Sequence, residues 1–256
     1  MRLIPGDPAQ IALGVNATPE LLEQTRREFG TDRPLIVQYF EWFGGLLTGD
    51  FGTSYVTHND ISPLVIDRVQ VSLILVLTAM VVALLVAIPL GTWAAVKHRN
   101  FSGVVIGLGS QVGVAIPGFL AGILLVIVFA VGLGWLPANG WTAPAEDFGD
   151  FIRRLILPVV ALASVQGAIL TRYVRSAVLE VMSEDYLRTA RAKGLSKTGA
   201  LLKHGLRNAA IPVITVTGVQ IAALIIGAVV IERVFEIPGL GSMLLDAVGN
   251  RDMLTV

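Results

Sequence analysis

The stretch VSLILVLTAMVVALLVAIPLGTWAAV, residues 71 to 96, contains no aspartate, glutamate, lysine or arginine. A helix of about 20 apolar residues covers the roughly 30 Å hydrocarbon core of a bilayer, so this stretch is long enough to cross it. Its residues are apolar all round rather than on one face, which favours lipid surroundings over the core of a soluble domain. The stretch therefore predicts a membrane-spanning helix.

Three further apolar stretches follow, and together they predict spans at about 71–96, 104–135, 155–176 and 208–231. The composition agrees, because 54% of the 256 residues are hydrophobic, only 15% are charged, and the mean hydropathy is +0.73. Glycines four residues apart predict close helix packing (Gly103 and Gly107, Gly109 and Gly113, Gly118 and Gly122). Prolines within or at the ends of the spans predict bends (Pro89, Pro117, Pro158, Pro212). The predicted fold class is an all-α integral membrane protein, a polytopic helical bundle with a small extracytoplasmic N-terminal segment.

The distribution of basic residues predicts the orientation of these spans. The connection between residues 172 and 207 holds eight of the nineteen lysines and arginines, and the turn Lys97-His98-Arg99 adds two more. Short loops rich in Lys and Arg stay in the cytoplasm, so both connections are predicted to lie inside. By alternation, residues 1–70, the 135–154 loop and the tail from residue 232 are predicted to lie outside.

The first 70 residues need an element that carries them across the membrane, and the opening MRLIPGDP has no apolar core of the kind a signal peptide requires. We therefore expect a first transmembrane helix before this chain and a last one after it, which makes six spans in the intact protein. Within residues 1–70, Thr18 is predicted to cap a helix that stops at Gly30. The aromatic run 35–43 is predicted to form an amphipathic helix that packs on the outer face of the bundle or, alternatively, contacts substrate.

Several kinds of chemistry have no support in the sequence. The chain has no cysteine, and its nineteen basic and nineteen acidic residues balance, which argues against nucleic-acid binding. The three histidines (His58, His98, His204) have no metal-ligand spacing. No acid lies near the middle of a span, which argues against an ion-coupled carrier. Ser196-Lys197-Thr198 lacks the glycine of a phosphate-binding loop, so this chain is predicted to bind no nucleotide or metal cofactor and to have no catalytic residue.

The stretch DYLRTARAKGLS, residues 185 to 196, is the most distinctive polar segment between the spans. Ser183 is predicted to cap a helix that begins with acidic residues, and Gly194 is predicted to end it in a left-handed conformation. Ser196 is predicted to cap a second helix that runs to about Arg207. The result is a helix, a glycine break and another helix on the cytoplasmic side, with a solvated basic loop touching anionic lipid as the alternative.

With Arg188-Thr189-Ala190 followed by Gly194, this stretch resembles the coupling loop of permease subunits of bacterial ABC importers in the dipeptide, oligopeptide and nickel family. The residues RLIPGDP (2–8), GDFGTS (49–54), HGLRN (204–208) and VFEIPGLG (234–241) also resemble blocks of that family. The chain differs from the general superfamily pattern in having Arg188 in place of a glutamate and HGLR (204–207) in place of an Ile-x-Leu-Pro ending.

The resemblance implies a multi-pass subunit of the bacterial inner membrane that forms the path of an ATP-driven importer and is not itself an enzyme. The implied partners are a second homologous permease, two ATP-binding subunits that hold ATP and Mg²⁺, an extracytoplasmic solute-binding protein, and membrane lipid. The resemblance implies that the cytoplasmic loop 177–207 docks on an ATPase subunit. The expected coupling residues are Asp185, Tyr186, Leu187, Arg188, Thr189, Ala190, Arg191, Lys193 and Gly194, with Tyr186, Leu187 and Arg191 as anchors.

The outer stretch 232–252 resembles a loop that closes over the path and meets the solute-binding protein, or it is a plain turn into a further helix. Its candidate gate residues are Glu232, Phe235, Pro238, Gly239 and Gly241. The implied cargo is a di- or oligopeptide, with nickel or another small solute as the alternative. Two other functions stay open from the residues alone: a stand-alone carrier or channel, and a membrane scaffold that binds a partner without transport.

Overall fold

The computed structural model describes residues 7–14, 17–54, 59–250, 252 and 255, and these residues are mainly helical. His58 and residues 2–6 of the opening block lie outside the described residues. In chain order the helices are α1 (Pro8–Leu13), α2 (Pro19–Glu28), α3 (Leu35–Thr48), α4 (Ser62–Val96), α5 (Phe101–Ala115), α6 (Gly118–Leu125), α7 (Phe148–Ser183), α8 (Asp185–Ala192), α9 (Lys197–Ala200), α10 (Leu206–Val234) and α11 (Leu240–Gly249). Helix α6 continues as a π-helical segment over Val126–Gly132, and a second π-helical segment, Leu201–Gly205, joins α9 to α10.

The chain divides into two compact units, of which the first contains residues 1–71 and 239–256. The predicted cap of α2 is confirmed, because the Thr18 hydroxyl accepts a hydrogen bond from the Leu21 N–H at 3.3 Å. The start of α4 and helix α11 share a small hydrophobic cluster of Ile61, Val65 and Met243. Asp60 lies just before α4, and its carboxyl accepts hydrogen bonds from Ser62. The bond from the Ser62 side chain lowers the pKa of this carboxyl most, and the bond from the Ser62 backbone lowers it further.

The second unit, residues 72–238, is built around α7. In α7, 61% of the most apolar 18-residue window is buried. In the helix Lys197–Val234, the corresponding buried share is 17%. Helices α5, α6 and α10 pack on α7. Helix α4 also approaches it closely, since a Cβ atom added at Gly91 would lie 2.7 Å from the Val174 Cβ. The core of this unit therefore lies along α7.

The span expected at 104–135 is not one continuous helix, because the structure divides it into two helices that meet at an angle of 98°. Pro117 has no N–H to continue the ladder of α5, and a proline disfavours the helical conformation of the residue before it. Ile116 is accordingly extended, with φ −83° and ψ 121°. The bend predicted from Pro117 is therefore a break, whereas Pro89, Pro158 and Pro212 lie inside continuous helices.

The boundaries of the predicted connections are also corrected. Residues 177–183 belong to α7 rather than to a loop, because Val178 and Val181 are buried and hold the last turns of α7 in the core. Ser183 is not a helix cap, and its hydroxyl donates to the Glu180 carbonyl at 2.7 Å. Most of the predicted outer loop 232–252 is helical, since residues 232–234 belong to α10 and 240–249 to α11, and only residues 235–239 connect the two helices.

Three helices are long and apolar enough to cross a membrane, and the bent pair α5 and α6 makes a fourth candidate span. The three helices are Ser62–Val96, Phe148–Ser183 and Lys197–Val234. Each extends further than the predicted span, because polar turns at its ends continue the helix beyond the apolar run. The prediction of an all-α polytopic membrane protein is confirmed.

Candidate functional site

Helix α8 is a separate short element between the two longest helices of the second unit. Glu184 alone separates it from α7, with extended backbone angles of φ −68° and ψ 143°. Asp185 lies in the first turn of α8 and Arg191 in its last turn. This arrangement suits the helix dipole, which favours acidic residues at the N-terminus and basic residues at the C-terminus. The eight residues therefore form a helix with its own direction.

One apolar side chain anchors α8 to the rest of the unit. Leu187 is only 3% exposed and belongs to a cluster with Val181, Leu201 and Ala95, which come from the ends of α7, the second π-helical segment and α4. Ala190 packs on the same cluster. Leu187 was expected to anchor a partner, but its burial assigns it to holding α8 in place.

A hydrogen bond adds a second attachment for α8. The Asn208 amide on α10 donates to the Tyr186 hydroxyl at 2.9 Å. Tyr186 therefore bridges α8 and α10 while its side chain stays partly exposed, so it is able to contact a partner as well. Sequence reasoning did not identify Asn208, because an asparagine 22 residues away carries no local signal of this contact.

The turn after α8 follows the sequence prediction. Gly194 has φ +96°, a conformation that side-chain-bearing residues rarely adopt, and it ends the helix as expected. The Ser196 hydroxyl then accepts a hydrogen bond from the Gly199 N–H at 3.1 Å and caps α9. The second predicted helix does not stop near Arg207, because the π-helical segment leads directly into α10. The turn after α8 is therefore followed by one helical stretch that runs from α9 to the end of α10.

Gly205 is a further residue of this site that sequence reasoning missed. A Cβ atom there would lie 2.7 Å from Leu201 Cδ1, 3.1 Å from Val181 Cγ1 and 3.3 Å from Leu187 Cδ1. The absence of a side chain therefore lets the π-helical segment approach Leu187 closely. The block HGLRN (204–208) contains this glycine, but neither the block nor a glycine inside a helix-forming stretch shows by itself which residue the glycine lies against.

The remaining predicted coupling residues form the exposed surface of α8 and its following turn. They are Asp185, Arg188, Thr189, Arg191, Lys193 and Gly194. Arg188 forms an ion pair with Asp185 at 3.2 Å, but both side chains are largely exposed, so this pair adds little stability. The surface carries one acidic and three basic side chains. It is suited to docking on a complementary protein surface rather than to bond-breaking chemistry.

The predicted gate residues at the other end of α10 are mostly buried. Glu232 is 1% exposed and accepts a hydrogen bond from the Ser72 hydroxyl at 2.5 Å. Phe235 is also 1% exposed and lies against Gly122 of α6, where a Cβ atom would be 3.1 Å from its ring. Pro238 is half-buried, and Gly239 and Gly241 are buried at the start of α11. Glu232 and Phe235 therefore lie in the core of their unit and not on an exposed loop.

The turn after α10 is fastened to the loop before α7. The Gly140 N–H donates to the Phe235 carbonyl at 2.8 Å, and the Asn139 amide donates to the Glu236 carboxylate at 2.9 Å. Arg154 of α7 in turn donates to the Asn139 carbonyl at 2.6 Å. These hydrogen bonds hold Glu236 at φ +51°, which is unusual for a residue with a side chain. The turn is therefore held by hydrogen bonds to the loop before α7, and this attachment was not predicted from the sequence.

Replacing Leu187 by alanine is expected to loosen α8 without disrupting the bundle. Truncating a buried leucine costs about 2–5 kcal/mol, and Leu187 is the one fully buried side chain of this helix. We expect the backbone amides of α8 to exchange with deuterium at least roughly 30-fold faster, as measured by hydrogen–deuterium exchange. Leu202→Ala is the matched control, because Leu202 is 59% exposed. Equal exchange in the two variants would contradict the anchoring role of Leu187.

The candidate spanning helices define the class of protein as a helical, multi-pass membrane protein. The chain belongs to the family of binding-protein-dependent transport system inner membrane components, which matches residues 87–255. The N-terminal family of the same membrane components matches residues 1–76. Members of this family are permease subunits of ABC importers and are not enzymes, since separate ATPase subunits hydrolyse ATP.

The chain is similar to permease proteins of known transport systems. The chain is 40% identical over 255 residues to the oligopeptide transport system permease protein AppB of Bacillus subtilis (strain 168), covering 98% of this chain and 81% of that protein. It is 38% identical over 252 residues to the glutathione transport system permease protein GsiC of Escherichia coli (strain K12), covering 98% and 80% respectively. The predicted location in the inner membrane and the predicted importer family are confirmed.

Proposed function

We propose that this chain forms part of the translocation path for small peptides and that α8 couples the path to an ATPase subunit. The similarity to permeases named for oligopeptide and glutathione transport supports a peptide cargo. The proposed assembly contains a second homologous permease, two ATP-binding subunits that hold ATP and Mg²⁺, and an extracytoplasmic solute-binding protein. In this assembly the present chain binds no nucleotide.

The observation that carries the coupling role is the one-sided attachment of α8. Its inner face is fixed by Leu187 and by the hydrogen bond of Tyr186 to α10, while its charged face is exposed. A rigid element with this geometry can transmit the movement of a docked partner instead of absorbing it. The end of α4, the end of α7 and the start of α10 all contribute to the cluster behind α8, so a displacement of α8 acts on three spanning helices.

The exposed surface of α10 supports a role beside a second membrane subunit. Ile211, Ile214, Val219 and Ile226 are all at least 66% exposed. An apolar surface of this kind is covered by lipid or by another apolar helix in a membrane, and helix association there depends on close packing. The proposed pairing with a homologous permease would cover part of this surface.

The cargo is tested by reconstituting the complete importer in liposomes with its solute-binding protein and labelled solutes. We expect ATP-dependent, saturable uptake of di-, tri- or oligopeptides that unlabelled peptides of the same length inhibit. Nickel in the same assay serves as the comparison solute. Nickel uptake that no peptide inhibits would contradict a peptide cargo. The coupling role of α8 does not depend on this result, because variants of α8 test it independently.

A further inference from the structure

A polar cavity of about 320 Å³ lies between α5 and α7, beside the turn that joins α4 to α5. Arg172 and Arg175 of α7 form its basic side, and His98 lies at its edge. Ser110 and Gln111 of α5 line it as well. The coupling role proposed for α8 does not use this cavity, which is built from a different set of residues.

The cavity carries positive charge without a matching acidic group. Its lining includes no aspartate or glutamate, and within the described part of the chain neither Arg172 nor Arg175 forms an ion pair with a carboxylate. The Arg175 Nε atom is buried and has no hydrogen-bond partner among the described residues. The Arg175 guanidinium therefore has unused hydrogen-bonding capacity beside a second arginine, and a cavity with these two positive charges favours an anionic ligand. The planar donor fork of arginine matches a phosphate well.

The position of the two arginines along α7 gives their depth in the membrane. Seventeen residues without charge, 155–171, separate Arg154 from Arg172. At 1.5 Å per residue this stretch spans about 26 Å, close to the thickness of the hydrocarbon core. With Arg153 and Arg154 at the outer boundary, Arg172 and Arg175 reach the inner boundary. His98 lines the same cavity, and it belongs to the turn 97–99 that the charge rule assigns to the cytoplasmic side.

We propose that this cavity binds the phosphate of an anionic phospholipid headgroup from the inner leaflet. Basic pockets between spanning helices on the cytoplasmic side are suited to such headgroups. Val104 and Leu108 line the same cavity and are 48% and 55% exposed, so an acyl chain attached to the phosphate would find an apolar surface beside it. A free phosphate or a carboxylate would leave this apolar surface unused. The proposal does not depend on which solute the importer carries.

The test uses the assembled importer in detergent and a titration with short-chain phosphatidylglycerol, with phosphatidylcholine as the neutral lipid. In the double variant Arg172→Gln and Arg175→Gln, we expect the affinity for phosphatidylglycerol to fall roughly 30-fold, because each basic side chain near an anionic headgroup contributes to the attraction. Native mass spectrometry should show the loss of retained anionic lipid from the purified complex. Arg153→Gln is the matched control on the outer end of the same helix, and it should retain the lipid.

A second variant tests the cavity without removing either charge. Gly107 lines the cavity, and a Cβ atom added there would meet nothing within 4 Å, so a larger side chain can enter without displacing the helix. We expect Gly107→Leu to reduce the affinity for phosphatidylglycerol about tenfold by occupying the space, whereas Gly107→Ala should bind as the unmodified importer does. Size-exclusion chromatography of each complex checks that assembly is intact.

Four results would overturn the proposal. One is unchanged phosphatidylglycerol binding in both the arginine double variant and Gly107→Leu. Another is equal affinity for phosphatidylglycerol and phosphatidylcholine in the unmodified importer. The third is an arginine double variant that keeps its anionic lipid but shows a raised KM for peptide uptake, which would assign the cavity to the carboxylate of the solute. The fourth is inorganic phosphate that binds as tightly as phosphatidylglycerol, because the acyl-chain contacts of Val104 and Leu108 would then contribute nothing.

Discussion

Replacing Arg191 by glutamate is expected to reduce ATP-dependent uptake by the reconstituted importer roughly 30-fold or more. Arg191 is exposed at the C-terminal end of α8, and arginine is among the residues whose loss most often weakens a protein interface. A glutamate there reverses the charge offered to the ATPase subunit and also opposes the negative end of the helix dipole. Uptake, ATP hydrolysis and assembly should be measured on the same preparation.

The control for Arg191→Glu is the same substitution at Arg27, which is also exposed but lies on α2 of the first unit. Its i,i+4 ion pair with Glu23 contributes little, so Arg27→Glu should leave uptake nearly unchanged. Gly194→Asp tests the glycine break beside Arg191, because φ +96° strains any residue with a side chain. Loss of uptake in assembled complexes of both variants would support coupling through α8. Full ATP-dependent uptake in both would exclude α8 from the mechanism.

Replacing Gly91 by leucine is expected to prevent α4 from packing on α7. Even a single Cβ atom at this position would lie 2.7 Å from Val174 Cβ and 2.8 Å from the Thr171 carbonyl oxygen, and a backbone oxygen cannot move aside as a flexible side chain can. Overpacking of a core costs typically 1–3 kcal/mol, and we expect a loss of about 3 kcal/mol here because the helices must separate. Thermal unfolding of the purified complex and its monodisperse yield measure the effect.

Gly109→Leu is the matched control for Gly91→Leu. Gly109 lies on α5, is exposed, and a Cβ atom there would meet nothing within 4 Å. The higher helix propensity of leucine should make this variant neutral or slightly more stable. Gly91→Ala should fall between Gly91→Leu and the unmodified protein. Equal stability of Gly91→Leu and Gly109→Leu would show that the close approach of α4 and α7 is not required.

The glycines show how far a sequence pattern predicts packing. Of the six glycines in pairs four residues apart, Gly103 lies against the Lys97 carbonyl, Gly113 meets Ala168 of α7 and Gly122 meets Phe235. The other three, Gly107, Gly109 and Gly118, meet no neighbour. Gly91, which makes a close helix contact, has no glycine four residues away. Spacing shows that a helix is able to pack closely on one face. Which face actually meets a partner depends on the positions of the other helices.

The structure of the candidate coupling site was predicted in part. The helix, the left-handed glycine and the Ser196 cap follow from local preferences, because each depends on residues within one or two turns. The inward direction of Leu187, the contact of Asn208 with Tyr186 and the need for a small residue at 205 depend on elements far apart in the chain. The wrong cap at Ser183 has the same origin, since burial of Val178 and Val181 extends α7 past the point where local signals place a break.

Composition and charge pattern by themselves determined the membrane class and the number of candidate spans, and the motif after residue 184 indicated the family. Long uncharged runs have no stable alternative to a helix in lipid, where every backbone polar group must be paired within the segment. Only the tertiary structure decided that α7 is central, that Pro117 breaks its span rather than bending it, and that Glu232 and Phe235 are buried. These features depend on which surfaces meet in three dimensions, and neither the length nor the hydropathy of a segment specifies its neighbour.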